Sequence, residues 1–590
     1  MKIKINRNVF WTETFVKELS LQGVKYASIS PGSRNTPLTI AFAKNKKIKT
    51  YIHIDERSSG FFALGLAKAS GTPVAIVCTS GTATAELYPA IIEAYQQRVP
   101  LIVCTADRPP ELLDMGANQT INQRNIYKNH IRYFNDVGLP TPTVKKIQQL
   151  KNTAQRAVLE STAKSRGPVH LNFPFRKPFE PKTYTDEIDS KILEFSNKKI
   201  KQNKAVINLL DKDISKQPWF NKIIRQIKKS KKGLIIVGPE NYNSKFLKNC
   251  QTLSHKLGYP VLADGTSQLR FGRHPKENII TVFDAFLRSN KFVQNHQPDI
   301  ILQFGRTITS KGLDTFLEKC DAPRFMINEY GDWFDPSDQA VGSYACKPYL
   351  FCEKILEHIN LNTQHKKNHI WLKSFKNAEA VSLKLKNRIV DNSSFPNEGR
   401  IINEIIKTVP DDCQIMLSNS MPVRDFDYFA SNTNKKIVIF NNRGASGIDG
   451  ITSTALGISA AGNKPTVLIT GDLAFYYDMN GLLSARNYKI PLVIVLINNN
   501  GGGIFEILPI SNYKEIFNKY FVVPHNMDFS PFVKAYGGRY KGIKSWKDFN
   551  ISLRSAIRSK KLNVIEVKTN ASKSLQIRKK FWKAVSEKLN

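Results

Sequence analysis

Short, nearly continuous apolar runs recur along the chain. They alternate with stretches whose apolar residues return at helical spacing. Residues 24–30 (VKYASIS), 49–54 (KTYIHI), 73–80 (PVAIVCTS) and 100–107 (PLIVCTAD) read as strands. Segments between them, such as SSGFFALGLAKASG, read as helices. Strands that are apolar on both faces, each followed by a helix, predict a parallel sheet covered on both sides. The alternation returns in 233–240, 260–265, 298–307 and 324–330, and again in 414–420, 436–442, 466–472 and 491–499. The expected fold class is α/β, with three doubly wound parallel-sheet domains. Polar, lysine-rich stretches at 180–232 and 360–397 separate them, giving units 1–185, 186–365 and 366–590. The first of these stretches reads as a linker plus a peripheral helix. The basic tail after about 570 also reads as peripheral.

Composition narrows the class. Hydrophobic residues make up 41% of the 590, enough to exclude disorder as the dominant state. The longest strongly apolar run, Pro491 to Ile497, is far short of the roughly 18–20 residues a membrane helix needs. Integral membrane association is therefore not expected. The start, MKIKINRNVFWTE, has no apolar region typical of a secretory leader. Seven cysteines without a CxxC pair fit reduced thiols in a cytoplasmic protein.

The net charge of +38 attracts polyanions. Yet the basic runs at 228–232 and 578–583 lie away from the chemically distinctive segments. No RRM signature, zinc-finger spacing or basic region with heptads is present. A solvated lysine-rich surface is the favoured reading, with no specific nucleic-acid partner. His365 and His369 have zinc-helix spacing, but Lys366 stands where the motif needs Glu. There is no GxSxG elbow, no P-loop and no GxGxxG in the middle unit.

The strand ends carry the chemistry, because ligands of open parallel sheets bind beyond the carboxyl ends of the strands. In the third unit Asp472 ends one strand and Asn499, 27 residues on, ends the next. A carboxylate and an amide oxygen at neighbouring strand ends are hard ligands suited to Mg²⁺. The glycines nearby let backbone amides approach a diphosphate. This spacing resembles the thiamin diphosphate (ThDP) fingerprint GDG…NN, with Leu473 in place of the second glycine. Such enzymes also need a carboxylate facing the aminopyrimidine ring. Glu56, in HIDER at a first-unit strand end, is well placed for it. An N-cap at Asp55 with Glu56 on the favourable end of the helix dipole is the competing reading.

Longer motifs point to one family. SPGSRNTPL (30–38), HIDERSSGFFALGLAK (53–68), TSGTATAELYPA (79–90) and TADRPPELLDMGANQTINQ (105–123) carry the resemblance in the first unit. NNRGASGIDG (441–450), GDLAFYYDMNGLL (471–483) and NNNGGGIF (498–505) carry it in the third. Together they resemble the menaquinone-pathway SEPHCHC synthases (the MenD family). SEPHCHC is 2-succinyl-5-enolpyruvyl-6-hydroxy-3-cyclohexene-1-carboxylate. The Leu of GDL is a habit of that family.

The resemblance implies ThDP with Mg²⁺ or Mn²⁺ as cofactors, and 2-oxoglutarate and isochorismate as substrates. It implies decarboxylation of the first and conjugate addition of the resulting succinyl carbanion to the second. It also implies a homodimer or dimer of dimers, with sites at the subunit interface. Glu56 is the implied catalytic residue, through the cofactor's imino tautomer. Ser446, Gly447, Ile448, Asp449, Asp472, Leu473, Asn499 and Ile504 are the implied cofactor contacts. Asp472, Asn499 and the Gly501 carbonyl are the implied metal ligands. Ser33, Arg34, Arg108, Asn118, Gln119, Lys311, Ser420, Arg424, Arg443 and Phe505 are the implied substrate contacts. Cationic and amide donors suit two dicarboxylates. The nearest alternative is another ThDP-dependent 2-oxo acid carboligase. The alternative from another class is a basic binding protein for nucleic acid or a membrane surface.

Overall fold

The computed structural model describes residues 2–163, 165–182, 186–198, 213–359 and 369–589. Strands form where the apolar runs predict them, in three six-stranded parallel sheets. The first sheet runs Lys49–Ile52, Tyr26–Ile29, Val74–Cys78, Leu101–Asp107, Val169–Pro174, Tyr133–Asp136 from edge to edge. The third runs Ile437–Asn441, Cys413–Leu417, Thr466–Gly471, Leu492–Asn498, Leu562–Lys568, Arg539–Gly542. Numbered along the chain, both sheets have the order 2-1-3-4-6-5. The middle sheet, from Ile279–Ile280 to Ala340–Ala345, has the order 3-2-1-4-5-6.

Alternate strand residues feed opposite faces, as the pleat requires. Val74, Ile76 and Cys78 join one core cluster, while Ala75 and Val77 join another. In the third sheet Leu468 and Ile494 enter the same cluster as Val74, whereas Val467 and Ile469 face away. The first and third sheets therefore share one core. Helices Glu56–Ser70 and Ile451–Ala460 cross within it, each linking the second and third strands of its own sheet. The crossing is close enough that Gly65 and Gly457 each lie against the backbone of the other helix.

Three expectations need correction. The first unit continues past residue 185. Glu187–Asp189 pairs antiparallel with Lys2–Lys4, and Ile192, Leu193 and Phe195 of helix Ser190–Asn197 pack on the first core. Helix His369–Lys386 belongs with the middle sheet, since Trp371 Nε1 donates to Gly233 O at 2.8 Å and Phe375 joins that core. The basic tail is not peripheral. Helix Ala571–Leu589 buries Phe581 and Val585 in the middle core and Arg578 beneath the third domain.

The expected peripheral helix at Pro218–Lys229 has one buried face, Phe220, Ile223, Ile224 and Ile227, on the middle core. His365 lies outside the described residues, and His369 is exposed at a helix start. All seven cysteines are buried and unpaired. Among the described residues no helix is long and apolar enough to cross a membrane.

Candidate active site

The order 2-1-3-4-6-5 reverses between the first and third strands, and a crevice opens beyond their carboxyl ends. In the third domain that crevice is a cavity of about 340 Å³. Strand Cys413–Leu417 delivers Ser418, Asn419 and Ser420 to it, and helix Met421–Phe429 adds Arg424. The turn after Ile437–Asn441 delivers Arg443, Ser446 and Ile448. Thr466–Gly471 ends in Asp472 and Leu473, while Leu492–Asn498 ends in Asn499, Gly501, Ile504 and Phe505. Ser420 and Ser446 hold positive φ, at +68° and +62°. Such strain in non-glycine residues gathers at functional sites.

The floor centres on Asp472. Asp472 Oδ1 accepts the Leu473 N–H at 2.8 Å, and its Oδ2 accepts the Gly501 N–H at 2.9 Å. His525 Nδ1 accepts the Met527 N–H, so its Nε2 carries the proton and donates to Asp472 Oδ2 at 3.2 Å. Burial pushes the Asp472 carboxyl up, and these donors pull it back. Gly501, at φ +138°, has no room for a side chain, because a β-carbon would stand 2.1 Å from Val522 O.

Several buried oxygens here lack a hydrogen-bond partner: Asn499 Oδ1, Asn419 Oδ1 and Ser418 Oγ. Asn419 commits its amide nitrogen to Asn442 O and Gly447 O, at 2.8 and 2.6 Å. Unpartnered buried oxygens are costly unless a ligand meets them. Among the described residues no three His, Cys, Asp or Glu side chains gather around a metal position. The available donors are one carboxylate, amide oxygens and a backbone carbonyl, which fit a hard cation sharing its shell with phosphate and water.

The first domain gathers a second cluster at its own switch point. Arg108 donates to Ser80 Oγ, and to Asn118 O at 2.5 Å. Gln119 Nε2 donates to Ser80 O at 3.1 Å. Arg34 donates to Phe175 O at 2.8 Å and stacks over Phe179. Burial first, then the neighbouring Arg108, lowers the Arg34 pKa to about 10. Burial lowers Arg108 as well, and the carboxylate of Asp107 offsets part of the shift in both guanidiniums. Ser33, on the PGSR turn beside Arg34, caps Thr36 through its carbonyl. Glu56 opens helix Glu56–Ser70, with Asp55 as its N-cap accepting from Arg57 N and Ser58 N. Burial pushes the Glu56 carboxyl up.

The two clusters are separate within the chain. Neither Glu56 nor the PGSR, TADR and GANQ residues line the third-domain cavity. The intrachain contacts near Glu56 reach the far end of helix Asp472–Tyr477 instead. Arg57 donates to Tyr477 O at 3.0 Å, and Ser58 to Asp478 at 3.3 Å.

Models of known families match each part. The chain matches the "thiamine pyrophosphate enzyme, N-terminal TPP binding domain" over 11–126. It matches the "middle domain of thiamine pyrophosphate" over 208–417 and the C-terminal TPP binding domain over 428–567. Solved structures of a Rhodococcus jostii ThDP-dependent 4-hydroxybenzoylformate decarboxylase and a Polynucleobacter necessarius benzoylformate decarboxylase share the fold. Their TM-scores are 0.67 and 0.69 at 15% and 17% identity, over 95% of this chain and 99% and 98% of theirs. A SEPHCHC synthase of Bacillus cytotoxicus is 38% identical over 97% of this chain and 96% of its own. One from Haloquadratum walsbyi is 38% identical over 99% of both. One from Geobacillus kaustophilus is 37% identical over 98% of both. The chain belongs to the SEPHCHC synthase family.

Within this synthase fold, some residues came to the site without a sequence signal. Glu93, on helix Tyr88–Gln97, accepts the Gly444 and Ala445 N–H groups at 2.9 and 2.6 Å. Lys68 donates to Asn441 O and Asn442 Oδ1. These first-domain side chains hold the turn that carries Arg443 and Ser446. Gly447 and Asp449 complete that turn, Asp449 Oδ1 standing where a β-carbon on Gly447 would lie. Lys311 does not reach the cavity. It opens helix Lys311–Glu318, exposed, with its ammonium paired to Asp314 and Glu318.

Proposed function

We propose that this chain is a SEPHCHC synthase, joining the succinyl unit of 2-oxoglutarate to isochorismate with loss of CO₂. The observation that carries this reading is identity of 36–38% to named SEPHCHC synthases along essentially the whole chain, covering both clusters. Bound ThDP supplies the electron sink that such a decarboxylation requires.

The chain's residues then divide the work. Asp472, the Asn499 side chain and the Gly501 carbonyl would hold Mg²⁺ or Mn²⁺, whose charge would neutralise the cofactor's diphosphate. Ser446, Gly447, Asp449 and Leu473 line the cofactor, and Ile448 and Ile504 supply its apolar support. Glu56, its carboxyl raised by burial, sits ready to exchange a proton with the aminopyrimidine ring. Ser33, Arg34, Arg108, Asn118 and Gln119 offer one set of anion donors. Ser420, Arg424 and Arg443 offer the other, with Phe505 against the reacting carbons. Lys311, exposed and paired to Asp314 and Glu318, stands outside both sets.

Because Glu56 is absent from the cavity of its own chain, a complete site takes two copies. Each first-domain cluster would close over its partner's third-domain cavity. Exposed apolar side chains around Glu56 support this: Ile54 two residues before it, and Tyr476 and Tyr477, the latter meeting Arg57 through its backbone carbonyl and its ring. Apolar surface of that kind marks an interface.

The test follows isochorismate loss by ultraviolet absorbance with purified protein, ThDP, Mg²⁺ and 2-oxoglutarate. Loss that requires both ThDP and 2-oxoglutarate, and fails with pyruvate, is the expected result. ThDP binding without turnover of isochorismate would overturn the substrate assignment.

A further inference from the structure

Asn499 presents an oxygen and an amide nitrogen on one flat group, and only the oxygen can bind a cation. Its Nδ2 donates to Glu398 Oε1 at 3.4 Å, while its Oδ1 is buried with no partner. A carboxylate can only accept. Glu398 therefore selects the rotamer that turns the oxygen away from itself. Glu398 is in turn held from two directions. Thr569 Oγ1 donates to its Oε1 at 2.8 Å, and Arg578 Nη2 donates to its Oε2 at 2.6 Å. Arg578 also grips Asp425 through Nε and Nη2, at 2.7 and 2.5 Å. All three charged side chains are at most 4% exposed. Glu398 and Asp425 line the cavity. Arg424, in the same cavity lining, stands as a second guanidinium near Asp425.

We propose that Glu398, clamped by Arg578 of the last helix, is a positioning residue that orients Asn499 toward the metal. The proposal rests on the metal reading given above. Outer partners of this kind fix ligand orientation and tune affinity in metal sites generally.

The test is Mn²⁺ titration of the full chain with ThDP, read by electron paramagnetic resonance, beside thermal unfolding of the metal-free protein. Glu398→Gln supplies an amide that donates as well as accepts, so Asn499 is free to turn over. It leaves the Arg578–Asp425 pair intact. The expected result is a Kd for Mn²⁺ raised roughly ten- to hundredfold, with no fall in the metal-free melting temperature. Arg578→Lys, which loses the two-pronged grip, is expected to weaken Mn²⁺ in the same direction. Should Glu398→Gln fail to fold, Thr569→Val removes only one of the two groups holding Glu398 and is expected to raise Kd by a smaller factor. Glu398→Gln or Thr569→Val binding Mn²⁺ within twofold of wild type, while Asp472→Ala loses it, would overturn the positioning role alone. Unchanged Mn²⁺ binding in Asp472→Ala would overturn the metal reading and this proposal with it.

Discussion

Gly65 and Gly457 sit reciprocally where two helices cross: a β-carbon on Gly65 would stand 2.1 Å from the Thr454 carbonyl oxygen, and one on Gly457 would stand 2.1 Å from that of Phe62. The helices occupy equivalent places in sheets of identical strand order, so the contact has the character of a local two-fold axis. It binds the first domain to the third.

Gly65→Ala should therefore destabilise the chain although alanine is the better helix former by about 1 kcal/mol. Backbone cannot give way as a flexible side chain can, and overpacking costs about 1–3 kcal/mol or more. Gly462→Ala is the control, since nothing lies within 4 Å of the added carbon. Urea unfolding should show the first variant clearly less stable and the second near wild type. Equal midpoints would refute the close crossing.

Glu56→Gln should leave ThDP binding nearly intact, because no residue of the metal floor is touched. Turnover should fall by roughly 10²–10⁴, the range for loss of a positioned acid or base. Calorimetry for ThDP and steady-state rates separate the two. Near-normal turnover would remove Glu56 from the chemistry.

Arg443 lines the cavity, and burial lowers the pKa of its guanidinium. Arg443→Gln should raise KM for one dicarboxylate substrate by roughly 10–100-fold, as expected for losing a hydrogen bond to a charged group. The KM for the other substrate should move far less. A uniform change in both would point to a general disturbance of the turn.

Asp478 joins the domains by accepting from Ser453 N at 2.6 Å and from the Ser453 and Ser58 hydroxyls. Burial raises its pKa from 3.8 to about 6. The folded state thus favours the protonated form. Its contribution is fully present below pH 3.8 and is lost as pH rises through 6. Asp478→Asn should escape that loss. The stability difference between variant and wild type should open across this window, reaching on the order of 3 kcal/mol above it. Parallel stability curves would show that Asp478 does not titrate as described.

The sheets were legible because buried parallel strands are apolar on both faces, and their ends stand out as Gly, Asn, Asp and Arg. Asp472, Asn499, Arg443 and Ile448 were found at such ends and meet in one cavity. Arg578 was not, since in the run 578–583 it looks like its lysine neighbours. Its burial depends on Asp425 and Glu398, which lie 153 and 180 residues earlier. Glu93 and Lys68 were hidden likewise, as charged residues on otherwise ordinary helices. The end of the first domain was misplaced because strand Glu187–Asp189 is only three residues long and shows its partner, Lys2–Lys4, only in the fold.

Arg578 also sets an order of events during synthesis. Glu398 and Asp425 leave the ribosome well before their shared counter-charge does. Until the last helix arrives, the third domain must either hold two acids wet or keep that wall open. A truncation that removes only the last helix, and spares every residue touching the cavity, would still leave Glu398 and Asp425 without their guanidinium.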